Sequence, residues 1–248
     1  MVSVIIPTYN EEKALPATLH HLLTQRGDYE VIVVDGGSTD RTVDIVESLH
    51  ATRRSTQPAT SSAEARLSTG DALRVTLLTA SKGRASQMNA GAREATGEWL
   101  LFLHADTLLP EAALARLNAL EEDWTVQAGG FLHQFTGRDW RLRLVSYLDN
   151  VRCRRSRIIY GDQAMFVRRS LFERLGGFPR RPILEDVAFC EKLVRVVTPV
   201  LLAPPVQTDS RKFVQMGIWR SFVRVLLIIL HVEFHLPVLP RVFFQDIR

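Results

Sequence analysis

The chain has 248 residues, apolar and charged fractions of 46% and 23%, and a formal net charge of +4, which is room for one large α/β domain or two small ones. The mild basic excess suits an anionic ligand or an anionic membrane surface, but no basic blocks interleave with aromatics, which argues against nucleic acid. Cys153 and Cys190 have no metal-ligand spacing and are too few for a disulfide framework, so both are expected to be reduced.

The N-terminus opens on Val2-Ser3-Val4-Ile5-Ile6-Pro7 with no basic leader. It reads as a first strand and not as a signal peptide, and a cytoplasmic location is expected. Thr8-Tyr9-Asn10-Glu11-Glu12 is the loop at its carboxyl end. A helix follows with Leu15, Leu19, Leu22 and Leu23 on one face and Pro16 near its start. After Gly27-Asp28, Tyr29-Glu30 leads into a second buried strand, Val31-Ile32-Val33-Val34, which stops at Asp35. Gly36-Gly37-Ser38-Thr39-Asp40 is a turn with good caps, and the next helix would bury Thr42, Ile45, Val46 and Leu49. This alternation predicts a parallel sheet with right-handed crossovers.

From His50 to Ala72 the composition shifts to Ser, Thr, Ala, Arg and Gln without an apolar period. A surface insertion is expected there, with Arg53, Arg54 and Arg66 solvated. Val75-Thr76-Leu77-Leu78 resumes as a third strand, followed by Ser81-Lys82-Gly83-Arg84 and a helix of small residues from Ala85 to Ala95. Leu100-Leu101-Phe102-Leu103-His104-Ala105-Asp106-Thr107 is an apolar run with a polar tip. It has no polar alternation, so it reads as a strand buried on both faces, with His104 two residues before Asp106 on the same side. Ligands of open α/β sheets sit beyond the carboxyl ends of such strands; taken alone, the carboxylate is equally a solvated turn capping the next helix. That helix has Pro110 in its first turn and Ala113, Leu114, Leu117 and Leu120 inward.

The second half reads as a strand from Gln127 to Phe135, a basic helix from Arg141 to Arg155 and a short buried strand, Ala164-Met165-Phe166-Val167. A helical turn from Ser170 to Leu175 closes at Gly176-Gly177, and Pro182-Ile183-Leu184-Glu185-Asp186 enters a helix carrying Val187, Phe189, Leu193 and Val194. From Ile218 the chain is apolar but interrupted by Arg220, Arg224, Glu233, Pro237 and Arg241. No stretch reaches the roughly 20 apolar residues of a bilayer span, so the tail is a docking or an interfacial helix.

Four polar sets thus stand at strand ends: Thr8 to Glu11, Asp35 to Ser38, Lys82 with Arg84, and His104 with Asp106. Lys82 and Arg84 precede a helix start, where backbone donors also favour an anion. Asp106 suits a hard cation bridging two phosphates, and Asp35 suits a base or ribose. Read singly, Asp35 is equally a cap and Lys82 equally a loop charge.

Together, Val2 to Glu11, Val33-Val34-Asp35-Gly36-Gly37-Ser38-Thr39-Asp40 and the Asp106 motif resemble the family 2 glycosyltransferases of GT-A fold, from residue 1 to about 195. Asp35-Gly36-Gly37-Ser38, Gly83-Arg84-Ala85-Ser86-Gln87-Met88-Asn89 and His104-Ala105-Asp106-Thr107 look most like a bacterial subgroup associated with arsenosugar biosynthesis. The resemblance implies a Rossmann-like, mostly parallel central sheet flanked by helices, with a C-terminal apolar helical tail. It implies inverting transfer of a sugar from a nucleotide diphosphate sugar, a UDP-sugar being the expected donor, to an acceptor hydroxyl with Mg²⁺ or Mn²⁺. By position, Thr8, Tyr9, Glu11 and Asp35 would line the nucleoside pocket, Lys82 and Arg84 would face the diphosphate, and Asp186 would be the general base. Asp106 would be the surviving carboxylate of the Asp-X-Asp metal motif. Two departures stand out: Gly36 replaces the second Asp of Asp-Asp-Gly-Ser, and His104, as a metal ligand or a packed neighbour, replaces the first metal-motif Asp. The absent Gln-X-X-Arg-Trp signature implies one sugar per encounter.

The expected organisation is a GT-A domain over residues 1–215, with nucleotide-binding (1–106) and acceptor (107–215) halves, and a tail over 216–248 in peripheral contact with the inner face of a membrane. Two rivals stand beside it. A catalytically inactive nucleotide-sugar-binding or membrane-docked partner is favoured by His104 and Gly36. A sugar-nucleotide pyrophosphorylase is disfavoured by the lack of glycine in Thr8 to Glu12.

Overall fold

Two runs of branched apolar residues, Val2–Thr8 (β1) and Tyr29–Asp35 (β2), pair in parallel from Val2↔Tyr29 to Thr8↔Asp35 and form the inner part of the sheet. The computed structural model describes residues 1–54, 74–181 and 184–233. Most of the expected insertion, Pro182-Ile183 and the tail beyond Glu233 lie outside the described residues. Arg74–Thr79 (β3) extends the sheet beside β2, and Trp99–Phe102 (β4) pairs in parallel with the other edge of β1. The chain therefore builds outward to β3 and then returns to the far side of β1, so the crevice beyond β1 and β4 is a topological switch point.

Both faces of the sheet are covered at β1, β2 and β4, which is why these strands lack polar alternation. On one side Val4, Ile6, Leu101 and Leu103 pack with Leu15, Leu19 and Leu22 of Leu15–Leu22 (α1), Val46 of Thr42–Arg54 (α2), and Leu114 and Leu117 of Ala113–Ala119 (α4). On the other, Ile5, Leu100 and Phe102 pack with Met88 and Ala92 of Arg84–Glu94 (α3) and, farther along the chain, Phe172 and Phe189. Burying each large apolar side chain contributes roughly 1.5–3 kcal/mol. The small residues of α3 allow its close approach: a methyl group on Gly91 would stand 2.5 Å from Ile5 Cγ2.

The second half is mixed. Thr107–Leu108 (β5), Ala128–Phe135 (β6), Phe166–Arg168 (β7) and Val200–Thr208 (β8) complete the order β3-β2-β1-β4-β7-β6-β8-β5. β7 runs antiparallel to both β4 and β6. Its Arg168 is fully buried, paired with Glu98 at 3.2 Å and donating to the carbonyls of Leu120, Glu121, Asp123 and Val126. The remaining helices are Trp140–Ser156 (α5), Arg169–Arg174 (α6), Glu185–Leu193 (α7), Arg211–Gln215 (α8) and Ile218–Glu233 (α9).

Several local expectations change. α2 runs on to Arg54, past the expected start of the insertion. Leu23 caps α1 and is exposed. Pro110 lies before α4, whose N-cap is Ala112, so it is not part of the first turn. β4 ends at Phe102, and His104 to Asp106 form a turn closed by the Thr107 amide donating to the His104 carbonyl at 3.1 Å. The second-half strand runs from Phe166 to Arg168, not from Ala164 to Val167. β8 has no counterpart in the sequence reading, because Pro204 and Pro205 speak against an interior strand. The ladder accommodates them at an irregularity, with Phe131↔Leu202 followed by His133↔Val206. Cys153 and Cys190 are free and buried, and burial pushes the Cys153 thiol up to about 11.

Candidate active site

The loops that end β1 and β2 hold each other. Asn10, at a left-handed φ of 54° that Asn tolerates better than most residues, accepts from the Thr39 amide at 2.8 Å, and its own amide donates to Ser38 Oγ at 2.9 Å. Asp35 turns back into its own loop, accepting from the Gly37 and Ser38 amides at 2.8 and 2.9 Å and from Thr8 Oγ1 at 3.4 Å. Gly37 is required there by its φ of 85°. Thr8 and Asp35 are both buried, so they shape the floor of this loop pair.

Gln87 of α3, buried, donates to the carbonyls of Thr8 and Val34 at 2.7 and 2.8 Å and ties the two strand ends together. A Cβ at Gly36 would stand 3.0 Å from Gln87 Nε2. The departure at Gly36 therefore has a steric partner that sequence reasoning missed; the Gln87 signal was present only as one letter of a longer motif. Tyr9 is exposed above this floor, and Lys82 Nζ lies 3.7 Å from its ring centre. Arg84 is exposed at the start of α3, beyond Gly83. Tyr9 and Lys82 thus meet, while Glu11 faces another space.

That space is a cleft of about 330 Å³ lined by Asn10, Glu11, Lys13, Asp106, Asp209 and Arg211 among others. Asp106 is held at its wall by the Asp209 amide, which donates to its carbonyl at 2.9 Å. Arg211, ion-paired with Asp209 at 2.5 Å, brings a cation from the end of β8 that the sequence reading did not find, because β8 itself was not recognised. Half-buried Asp106 stands in a cleft that Glu11, Glu12, Asp40 and Asp209 also line, and a carboxylate so placed fits Mg²⁺ or Mn²⁺, which take few protein ligands and complete their shell with water and phosphate oxygens. Among the described residues no three His, Cys, Asp or Glu side chains gather as a cage.

His104 does not line that cleft. Its imidazole packs against Gly161, where a methyl group would stand 2.6 Å from His104 Nε2 and 3.3 Å from Asp186 Oδ2. The Gly161 amide donates to Asp186 Oδ2 at 2.6 Å, and the Val187 amide donates to Oδ1 at 2.8 Å. Asp186 is the second residue of α7, half-buried, while its neighbour Glu185 is buried. The His104 turn therefore carries Asp106 towards the cleft and His104 towards Asp186. The arrangement offers an aromatic and a cation at one loop pair, a carboxylate for a hard cation, and a fixed carboxylate beyond.

The chain matches the profile of glycosyl transferase family 2 over residues 3–176. It is 35% identical over 186 residues to the PGL/p-HBAD biosynthesis glycosyltransferase of Mycobacterium tuberculosis, an alignment covering 73% of this chain and 64% of that protein's length. It is 33% identical over 128 residues to the undecaprenyl-phosphate 4-deoxy-4-formamido-L-arabinose transferase of Serratia proteamaculans, covering 49% and 34% of the two chains. A mannosyltransferase from Pyrobaculum calidifontis in complex with GDP-Man and Mn²⁺ superposes with a TM-score of 0.62 at 25% identity, over 96% of this chain and 70% of that one. S. aureus TarS in complex with UDP-GlcNAc superposes at 0.63 and 20% identity, over 94% and 67%. The α/β architecture is that of the GT-A-like glycosyltransferase structures, with a mostly parallel sheet flanked by helices. With the family profile matched across most of its length, the chain belongs to glycosyl transferase family 2.

Proposed function

We propose that the protein is an inverting glycosyltransferase that moves one sugar per encounter from a nucleotide diphosphate sugar to an acceptor hydroxyl. The observation that carries this reading is the contact of both His104 and Asp186 with Gly161, which sets a held carboxylate beside the turn that bears Asp106. Thr8, Tyr9 and Asp35 receive the nucleoside, with Glu11 shaping the adjoining cleft, and Lys82 and Arg84 face the diphosphate. Residues 1–106 act as the nucleotide half and 107–215 as the acceptor half. A UDP-sugar is the donor in this reading, supported by the UDP-GlcNAc complex of a structural neighbour. The narrower likeness to the arsenosugar-associated subgroup is supported by its motif wording at Asp35, Gly83 and His104.

The chemistry asks for these groups. Asp186 takes the proton of the acceptor hydroxyl, a poor nucleophile at neutral pH, as its oxygen forms the new bond to the anomeric carbon. The bond from that carbon to the diphosphate breaks on the opposite face, which inverts the centre, and the negative charge left on the diphosphate meets Lys82 and Arg84. A divalent cation held by Asp106 would supply further stabilisation of that charge. His104 contributes as a neighbour of Asp186 in this scheme.

The tail is proposed as a peripheral membrane contact on the cytoplasmic side. α9 exposes Trp219, Val223 and Leu226, with Arg220 on the same helix, and Trp219 meets the exposed Trp140 of α5 at 6.3 Å. Aromatics with basic neighbours suit an anionic leaflet. No helix among the described residues is long and apolar enough to cross a membrane. The undecaprenyl-phosphate in one relative's name supports a lipid-borne acceptor. Trp219→Ser with Arg220→Glu is expected to lower pelleting with anionic liposomes.

The direct test incubates purified protein with a panel of nucleotide sugars, with Mn²⁺ or with excess chelator, and follows nucleotide release. Release that needs the metal and is lost in Asp106→Ala is expected. Tight UDP binding without release from any donor would favour a binding partner, and full release by Asp106→Ala in chelator would remove the metal role.

A further inference from the structure

Behind the turn that holds Asp186 lies a polar cluster with no role in the scheme above. Gly161–Gln163 is one turn of 3-10 helix, seated on β6 by Gln163, which accepts from the Tyr160 amide at 3.0 Å and reaches the Phe131 carbonyl at 3.5 Å. Its middle residue, Asp162, points Oδ2 at His133 Nε2 of β6, 3.7 Å away. His133 is 2% exposed, and neither ring nitrogen has a hydrogen-bond partner among the described residues. Its backbone is clamped by Asn150 of α5, which accepts from the His133 amide and donates to its carbonyl, both at 2.8 Å.

An imidazole buried this completely is costly without a hydrogen-bond partner, and the group its Nε2 faces is the Asp162 carboxylate, at ion-pair and not hydrogen-bond distance. One Asp162 oxygen is fully buried while the side chain as a whole keeps 32% exposure. Burial pushes the Asp162 carboxyl up; Asp149 and Asp186 add to that, and His133 and Arg152 oppose it. Arg152, buried and paired with Asp149 at 2.9 Å, completes the charged surroundings from α5. The pair therefore joins β6 to the turn whose Gly161 amide, among the described residues, holds Asp186 from outside its own helix.

We propose that His133 and Asp162 are a positioning pair for the general base: by holding the 161–163 turn against β6, they aim the Gly161 amide at Asp186 Oδ2 and set the direction in which the carboxylate meets the acceptor. The proposal rests on the reading of Asp186 as the base. It accounts for an acid facing a buried imidazole on the turn where the helix α7 needs only a backbone donor.

Asp162→Asn and His133→Gln are compared with the unmodified protein for kcat, KM for each substrate, UDP binding and thermal stability, and Asp162→Asn is also placed in an Asp186→Asn background. The expected result is a fall in transfer kcat of about 10- to 100-fold, the size of effect that misplacing a reacting group by about 1 Å produces. UDP binding stays unchanged, and Asp162→Asn costs nothing further once Asp186 is Asn. A purely structural role would lower thermal stability yet leave kcat per folded molecule in place, which overturns the proposal. So does an equal loss in both backgrounds, because Asp162 would then act independently of Asp186. Should His133→Gln not fold, Asp162→Asn on the half-exposed turn carries the test. Full transfer by both single variants beside an inactive Asp186→Asn overturns the positioning pair alone, whereas full transfer by Asp186→Asn overturns the base reading and the pair with it.

Discussion

Lys82 Nζ stands 3.7 Å from the centre of the Tyr9 ring, joining the loop after β1 to the loop after β3. The contact fixes a flexible ammonium at the mouth of the nucleoside loops, where an exposed cation–π pair contributes about 0.5–1 kcal/mol. Lys82→Ala is expected to weaken binding of a nucleoside diphosphate about tenfold, the loss of one charge-assisted contact, and to leave nucleoside binding nearly unchanged. Tyr9→Leu should weaken both by a smaller factor. Titration calorimetry with UDP and uridine separates the two, and equal losses for the two ligands would remove Lys82 from the diphosphate.

Gly36 and Gln87 are the second linked pair. Gly36→Asp restores the common Asp-Asp-Gly-Ser wording, but its Cβ would press within 3.0 Å of the Gln87 amide that ties β1 to β2. Overpacking of this kind costs about 1–3 kcal/mol. Chemical unfolding should show that loss for Gly36→Asp, and a smaller added loss when Gln87→Ala is already present. A fully stable Gly36→Asp would mean that Gln87 moves aside freely.

For Asp186, the substitution to Asn keeps shape and removes the proton acceptor. Transfer should fall by roughly 10²–10⁴-fold, with donor affinity unchanged. Glu185→Gln is the contrast: that side chain is buried at the start of α7, so its substitution should register in thermal stability more than in transfer. Reversed outcomes in steady-state kinetics would exchange the two roles.

Glu30 gives the fold a pH dependence. Burial acts to raise its carboxyl, but hydrogen bonds from Ser3, Thr96 and Gly97 outweigh burial and hold it below the ordinary value of 4.5. A carboxyl lowered in the folded state stabilises above its unfolded value and loses that contribution as pH falls through the folded one. Stability should therefore drop below pH 4.5, more steeply than in Glu30→Gln. Urea unfolding at about pH 7 and about pH 3.5 measures the difference, and parallel losses in the two proteins would place the acid sensitivity elsewhere.

The sequence by itself determined the strands of the first half and the residues at their tips. Val2 to Thr8, Tyr29 to Asp35 and Trp99 to Phe102 are runs without polar alternation, a local property that marks burial on both faces; the first two end at a change of polarity visible in the chain, while the third stops one apolar residue, Leu103, before it. The parallel order of β1 to β4 followed from their alternation with helices, and α3 showed its close packing through its small residues. Only the tertiary structure decided the rest, because it depends on partners far apart in sequence. Asp35 bends into its own loop, His104 meets Gly161 and not the Asp106 cleft, and Gln87 spans two strand ends. β8 tolerates Pro204 and Pro205 because the ladder with β6 is irregular where they fall, and no reading of those residues alone supplies that partner. The Gly161 amide finds Asp186 across 25 residues for the same reason: a hydrogen bond between distant segments exists only once packing has fixed both of them.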